Sequence, residues 1–345
     1  MLLEVFIASV IAFVSTLIAG YFLRNLLIQS GLVAQDINKK GRPILPTSGG
    51  LVILVGLFAG VMVLIASMDY FVNSSINIEY LLLALVSVVS IAFIGFVDDL
   101  SGGGVRTSKE DLKKMTKNYT TFNGRIKQWQ KPLLTLIAAA PLMVANFGTS
   151  VSIPFLGTIN INPILYIIVL VPLAVIFASN ALNMLEGLNG LSVQMGFVVF
   201  AALAIYSFHI GSYTSLAFAT VFAGALAAYV YYGGYPAKIL PGDSLTYLIG
   251  GGIAATILIG RMQVLGIILL VPWIIEFFLK ARARFHAHSW GVLQSDGRLK
   301  SPHGNKIYSL THIFLRTGRF KEWQIVWIFT LIELFVAFIG LAIVW

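Results

Sequence analysis

The 345-residue chain contains no cysteine, which excludes disulfides, thiolate nucleophiles and thiolate metal sites and leaves the redox compartment undefined. Charged residues are scarce, at 11% against 58% hydrophobic, and the mean hydropathy is +0.89. That balance excludes a soluble domain or a disordered chain and points to a polytopic membrane protein. No polar linker, low-complexity tract or internal repeat divides the sequence, so residues 1–345 read as one bundle. The first apolar stretch is too long for a cleaved signal and lacks a basic leader, so residue 3 onward is expected to be a true span.

Hydrophobic windows fall at 3–23, 48–67, 80–97, 131–148, 162–179, 191–210, 214–232, 244–259, 264–280 and 324–344, each near the length needed to cross a bilayer. The expected fold is therefore all-α, a transmembrane helix bundle of about ten spans. The net charge of +9 would suit nucleic acid if it formed a patch. Instead, 22 of the 23 Lys and Arg lie in the loops 24–47, 98–131, 233–243 and 281–323, with Lys280 at the edge of the last, and only Arg261 lies elsewhere. The expected surroundings are a lipid bilayer and no nucleic acid. The positive-inside rule puts these loops, with the 180–190 turn, in the cytoplasm and both termini outside, which an even span number allows. Two glycosylation sequons, Asn73-Ser-Ser75 and Asn118-Tyr-Thr120, and a basic segment over 109–117 that suits a lipid surface carry little weight beside this pattern.

Polar residues inside such a chain need a reason, because an amide or carboxylate in hydrocarbon is costly without water, a partner or a ligand. The stretch Ala178-Ser-Asn-Ala-Leu-Asn-Met-Leu-Glu-Gly-Leu-Asn-Gly-Leu191 holds three asparagines and a glutamate. Asn180, Asn183 and Glu186 recur at helical spacing and are expected to converge on one ligand; the alternative is a polar turn between two spans. Asp98 and Asp99 form an acidic pair at the end of the third window, and two such neighbours repel unless a cation balances them. Asp243 stands just before a glycine-rich span, as a helix cap or as a metal ligand. Carboxylate and amide oxygens are what Mg²⁺ or Mn²⁺ prefers.

Two further clusters are basic. Lys40 and Arg42 precede Pro46-Thr-Ser-Gly-Gly50, where a helix start with free amides would receive a phosphate. Arg282, Arg284, His286 and His288, followed by His303 and His312, suit phosphate and sugar oxygens; without cysteine, zinc is not expected.

Four ordered motifs, Lys40-Gly-Arg-Pro with Pro46-Thr-Ser-Gly-Gly50, Gly95-Phe-Val-Asp-Asp99, Asn180 to Leu191, and Gly242-Asp-Ser-Leu245, resemble the polyprenyl-phosphate N-acetylhexosamine-1-phosphate transferase family. The resemblance spans nearly the whole chain. It implies transfer of a sugar-1-phosphate from a UDP-N-acetylhexosamine to a polyprenyl or dolichyl phosphate, with UMP released at the cytoplasmic face of a cell membrane. It further implies that Asn183 and Asp243 hold Mg²⁺, that Asp98 or Asp99 orients or deprotonates the acceptor, that Lys131 pairs with phosphate and that Asn189 reads uracil. Lys40, Arg42, Asn180, Glu186, Arg282, Arg284, His286 and His312 are the expected remaining substrate contacts.

Asn189-Gly190 is similar to the archaeal and eukaryotic enzymes that load GlcNAc-phosphate onto dolichyl phosphate, and an archaeal plasma membrane is the expected location. The peptidoglycan branch, with undecaprenyl phosphate as acceptor, carries a second Asp at that position and a His-His-His run, where this chain has only His312 in Ser309-Leu-Thr-His312. A homodimer is compatible with this reading. The rivals are a secondary transporter, whose polar residues belong at mid-membrane, and a scaffold whose 101–131 loop binds a partner.

Overall fold

A computed structural model describes residues 1–71, 75–101, 126, 127 and 129–345. The sequons at Asn73 and Asn118 and the basic segment 109–117 lie outside, or partly outside, the described residues. In hydrocarbon every backbone N–H and C=O must find a partner within the chain, so the apolar windows fold as helices. The described helices are α1 (Leu2–Gln29), α2 (Gly50–Phe71), α3 (Ile78–Leu100), α4 (Gln130–Val144), α5 (Pro163–Leu185), α6 (Leu191–His209), α7 (Tyr213–Gly233), α8 (Gly242–Gly260), α9 (Gln263–Leu269), α10 (Val271–Arg282), the short loop helix α11 (His312–Leu315) and α12 (Glu322–Val344).

Eight of the described helices are long and apolar enough to cross a membrane. The pair α9–α10 makes a ninth if taken as one span broken by 57°, and α4 is a shorter apolar helix. Each of the ten expected windows coincides with one of these. The break in α9–α10 precedes Pro272, which has no N–H to continue the ladder. Sequence-coded caps start two spans: the Asn77 side chain accepts the Tyr80 N–H at 3.1 Å, and the Asn162 side chain accepts the Ile164 N–H at 2.9 Å.

Among the described residues three small antiparallel hairpins depart from a purely helical chain. They are β1 (Val33–Gln35) with β2 (Ile44–Pro46), β3 (Ser150–Ile153) with β4 (Gly157–Asn160), and β5 (Val292–Leu293) with β6 (Leu299–Lys300). All three sit in connections between spans.

The core is built round α8. In its span 89% of residues are buried, against 28% in α1, and every residue from Ser244 to Gly260 is buried. It packs against α2, α3, α5, α6 and α7, while α1 stands at the periphery and exposes Phe6, Tyr21 and Phe22. Close approach of α3 to α8 depends on Gly95: a Cβ there would meet the Asp243 carbonyl oxygen at 2.5 Å. That contact sets the acidic end of α3 against the start of α8.

Candidate active site

The helices place the expected residues differently from a set of loops. Asp98 and Asp99 occupy the last turn of α3, Lys131 the first turn of α4, Asn180 and Asn183 the last turns of α5, and Asp243 the first turn of α8. The turn expected over 180–190 is thus shorter, because α5 runs on to Leu185 and the chain leaves helical geometry only at Glu186. Four helix ends meet at one end of the bundle, so the polar groups cluster at the edge of the apolar region.

Lys131 is the hub. Its ammonium lies 2.5 Å from the Asp98 carboxylate and 2.9 Å from that of Asp243, and the side chain is largely buried. Two carboxylates brought together in a dry site repel, and a cation between them is what lets both stay close. Asn183 adjoins Asp243 and the Tyr247 hydroxyl. Asn180 donates to the Thr135 hydroxyl at 3.2 Å and to the Ile176 carbonyl at 2.8 Å, bridging α4 and α5 beside the cluster. Tyr247 and Thr135 were not singled out from the sequence, although each stands four residues after a named one, Asp243 and Lys131, and so on the same helical face.

Asp99 points elsewhere. Its carboxylate accepts the Asp243 N–H at 2.7 Å, the Ser244 N–H at 3.2 Å and the Ser48 hydroxyl at 2.9 Å. The start of α8 therefore has its orphan amides capped by a side chain from another helix, and Asp243 is not the cap. Gly242 makes room for this: it has φ +65°, and a Cβ would lie 2.5 Å from Asp99 Oδ2. The adjacent aspartates thus diverge, one toward Lys131 and one into the fold.

The Thr47-Ser-Gly-Gly50 amides do not form the open phosphate nest expected of them. The Gly49 N–H donates to the Leu240 and Pro241 carbonyls, and the Gly50 N–H to the Ser244 hydroxyl at 3.3 Å. The motif joins α2 to α8 because no side chain keeps the two backbones apart. Lys40 and Arg42 sit exposed at the tip of the β1–β2 hairpin.

Glu186 and Asn189 do not converge with Asn180 and Asn183. Glu186 accepts the Ser192 N–H at 3.1 Å and its hydroxyl, tying the turn to the start of α6. Burial pushes its carboxyl up to about 7 against those hydrogen bonds. Asn189 is buried; its side chain donates to Asp36 at 2.7 Å and its N–H to Glu322 at 2.8 Å, within a junction that Lys39 completes by pairing with both acids. Past Leu185 the chain no longer keeps 3.6-residue periodicity, so residues three and four apart there share no common face.

The basic loop after α10 makes a separate pocket of about 270 Å³ lined by Arg282, Arg284, His286, His303 and Tyr308 among others. His312 lies behind it, wholly buried: its Nε2 meets the His288 carbonyl at 2.8 Å and its Nδ1 accepts the Tyr308 N–H at 3.2 Å. The ring is therefore neutral, with its proton on Nε2, and braces two loop segments.

Burial holds the His312 imidazole down to about 4, from an ordinary value of 6.5. As the pH falls from 6.5 toward about 4 the unfolded chain takes up a proton that the folded one refuses, so stability falls with pH through that window. Glu186 runs the other way: its folded form keeps a proton up to about 7 that the unfolded chain releases near 4.5, so stability is lost as pH rises between those values. His312→Gln, which cannot take the proton, is expected to flatten the acid-side fall of the melting midpoint in detergent; a wild-type slope in that variant contradicts this account.

Among the described residues no three His, Cys, Asp or Glu side chains converge as a metal cage. Polar groups gathered at span ends separate this site from the mid-membrane site of a transporter. Glu333 lies buried halfway along α12, and among the described residues neither of its carboxyl oxygens has a hydrogen-bond partner.

Fold and site define a polytopic helical membrane protein whose charged residues gather where several spans end at one face. The chain belongs to glycosyl transferase family 4, whose model matches residues 81–261, from α3 to the end of α8. It is 38% identical to a Saccharolobus solfataricus protein named for UDP-N-acetylglucosamine–dolichyl-phosphate N-acetylglucosaminephosphotransferase, over 86% of this chain and 84% of the relative. A Sulfolobus acidocaldarius protein of the same name is 34% identical, over 98% of this chain and 96% of the relative. A phospho-N-acetylmuramoyl-pentapeptide-transferase from Clostridium perfringens is 27% identical, over 98% of this chain and 96% of its own length.

Proposed function

We propose that this chain transfers GlcNAc-1-phosphate from UDP-GlcNAc to a polyprenyl phosphate of dolichyl type, releasing UMP and leaving a polyprenyl-diphosphate sugar, at the cytoplasmic face of an archaeal plasma membrane. The observation that carries this is the Asp98–Lys131–Asp243 cluster with Asn183 beside it, at the edge of the apolar bundle where a lipid phosphate and a soluble nucleotide sugar can meet. The archaeal relatives' names support the sugar and the lipid.

In the reaction, an oxygen of the lipid phosphate attacks the sugar-bearing phosphorus of the UDP-sugar. The bond to the bridging oxygen breaks and that oxygen leaves with UMP. Such a transfer needs positioning and charge neutralisation more than a strong base, since a lipid phosphate already ionises near neutrality. Lys131 supplies the positive charge, and the two carboxylates hold it until phosphate oxygens arrive. Asp98 orients the acceptor and takes any proton it still carries. Asp99 and Ser48 keep the start of α8, and with it Asp243, in place.

The residues present fit a magnesium ion. Asp243 and Asn183 offer hard oxygens, and Mg²⁺ is usually held by one or two protein carboxylates with substrate phosphates completing its shell. Bound there, it would neutralise diphosphate charge.

The test is purified protein with Mg²⁺, a short polyprenyl phosphate and a panel of UDP-sugars including UDP-MurNAc-pentapeptide. UMP is expected with UDP-GlcNAc and only when acceptor is present; no UMP from any sugar overturns the enzyme reading, and preference for the muramoyl donor moves the chain to the peptidoglycan branch. For sidedness, the lack of native cysteine allows single labels without background. In intact cells Leu156→Cys, 79% exposed at the β3–β4 tip, should react with an impermeant thiol reagent and Ser295→Cys, exposed between β5 and β6, should not. The inverse pattern puts the site outside.

A further inference from the structure

The basic loop must be held at a fixed distance from the Asn183 end of α5 if both are to touch one donor molecule. We propose that Glu276 and Lys280, a buried ion pair on α10, are the positioning residues that set this distance and thereby the affinity for the sugar-phosphate donor; this rests on the reaction proposed above.

Both side chains lie inside the protein, at 0% and 5% exposure, one helical turn apart with 3.5 Å between charges. Neither lines the basic pocket. Their polar atoms are taken up by the loops instead. The Lys280 ammonium donates to the Ala287 carbonyl and to the Ser289 hydroxyl, each at 2.8 Å. The second Glu276 oxygen accepts the Leu310 N–H at 2.7 Å.

Ser289 is where the segments meet. Its hydroxyl donates to the Met184 carbonyl at 2.8 Å, one residue beyond Asn183, and its own carbonyl accepts the Thr311 hydroxyl at 2.7 Å. The Ser309 hydroxyl reaches Ser289 Oγ at 3.2 Å. One side of loop 283–291 is thus pinned to α10, to α5 and to the segment bearing Tyr308, while its other side presents Arg284 and His286 to the pocket. The close backbone approach agrees: a Cβ on Gly187 would meet the Ser289 carbonyl carbon at 2.9 Å. An apolar anchor would bury the same area, but it would not fix the loop carbonyls and amides in direction. Directional hydrogen bonds to charged groups do that, at a desolvation cost that apolar packing avoids.

The experiment uses the full-length enzyme in detergent with three variants: Glu276→Gln, Lys280→Met and the double substitution. Breaking a buried pair strands one charge and destabilises, whereas removing both charges is often neutral. The single variants should therefore melt lower and the double variant recover. Affinity should not recover. In all three, KM for the UDP-sugar is expected to rise about tenfold while the KM for the lipid phosphate and kcat stay within about twofold, the signature of lost binding that does not involve the chemical step. Donor KM returning to the wild-type value along with the melting midpoint in the double variant overturns the proposal and leaves the pair a stability element. An equal rise in both KM values also overturns it. A wild-type enzyme that releases no UMP instead fails the reaction proposed above, and the two failures are told apart by that control.

Discussion

Asp98→Asn is expected to lower turnover by about 100- to 1000-fold while UDP-sugar binding stays within about threefold of wild type. Asparagine keeps the size of the side chain and removes its charge. Lys131, now 2.5 Å from Asp98 and 2.9 Å from Asp243, would then be held by Asp243 alone and drawn toward the residue proposed to bind metal. The acceptor phosphate would lose both its orienting carboxylate and a correctly placed ammonium, and these matter at transfer more than in the ground state. Asp99→Asn should behave differently. Its carboxylate caps α8 and accepts Ser48, so an amide, which offers one acceptor oxygen and presents N–H to N–H, should lower the melting midpoint first and activity as a consequence. Binding, turnover and melting measured for the two variants separately decide it. Loss of nucleotide-sugar binding in Asp98→Asn with binding spared in Asp99→Asn reverses the assignment.

The second large effect is at the proposed metal ligands. Asp243→Ala and Asn183→Ala should each reduce turnover by about 1000-fold or more in a folded protein, because diphosphate charge is then uncompensated as the bridging bond breaks. Asp243→Ala carries an added cost: Lys131 loses one of two anions, and a buried ammonium with a single partner is drawn fully onto Asp98. Folding should survive, since the start of α8 is held through the backbone N–H of residue 243 and not through its side chain. Near wild-type turnover at saturating Mg²⁺ in both variants would remove the metal site.

Much of this protein was legible in order along the chain. Bilayer thickness sets the length of an apolar run, so the ten windows correspond to helices. The four motifs supplied Asp98, Asp99, Asn183 and Asp243, and the structure brings Asp98 and Asp243 onto one ammonium. What the sequence could not decide is which side chains of a motif face the same way once a helix ends. Asn180 and Asn183 remain on α5 beside the cluster, whereas Glu186 and Asn189, past its end, turn to Ser192 and to Asp36.

Nor could it separate Asp98 from Asp99, which are chemically identical neighbours. The fold separates them, because a rotation of about 100° per residue points one at α4 and the other at the amides of α8. Ser48 reaches Asp99 across 51 residues, and Ser289 reaches Met184 across 105. Hydropathy and periodicity specify the membrane register of an element and which of its faces is polar, since both depend on local composition and a fixed turn per residue. Which distant element meets that face is set by close helix packing, here at Gly95 and Gly242, and so these partners were decided by the tertiary structure alone.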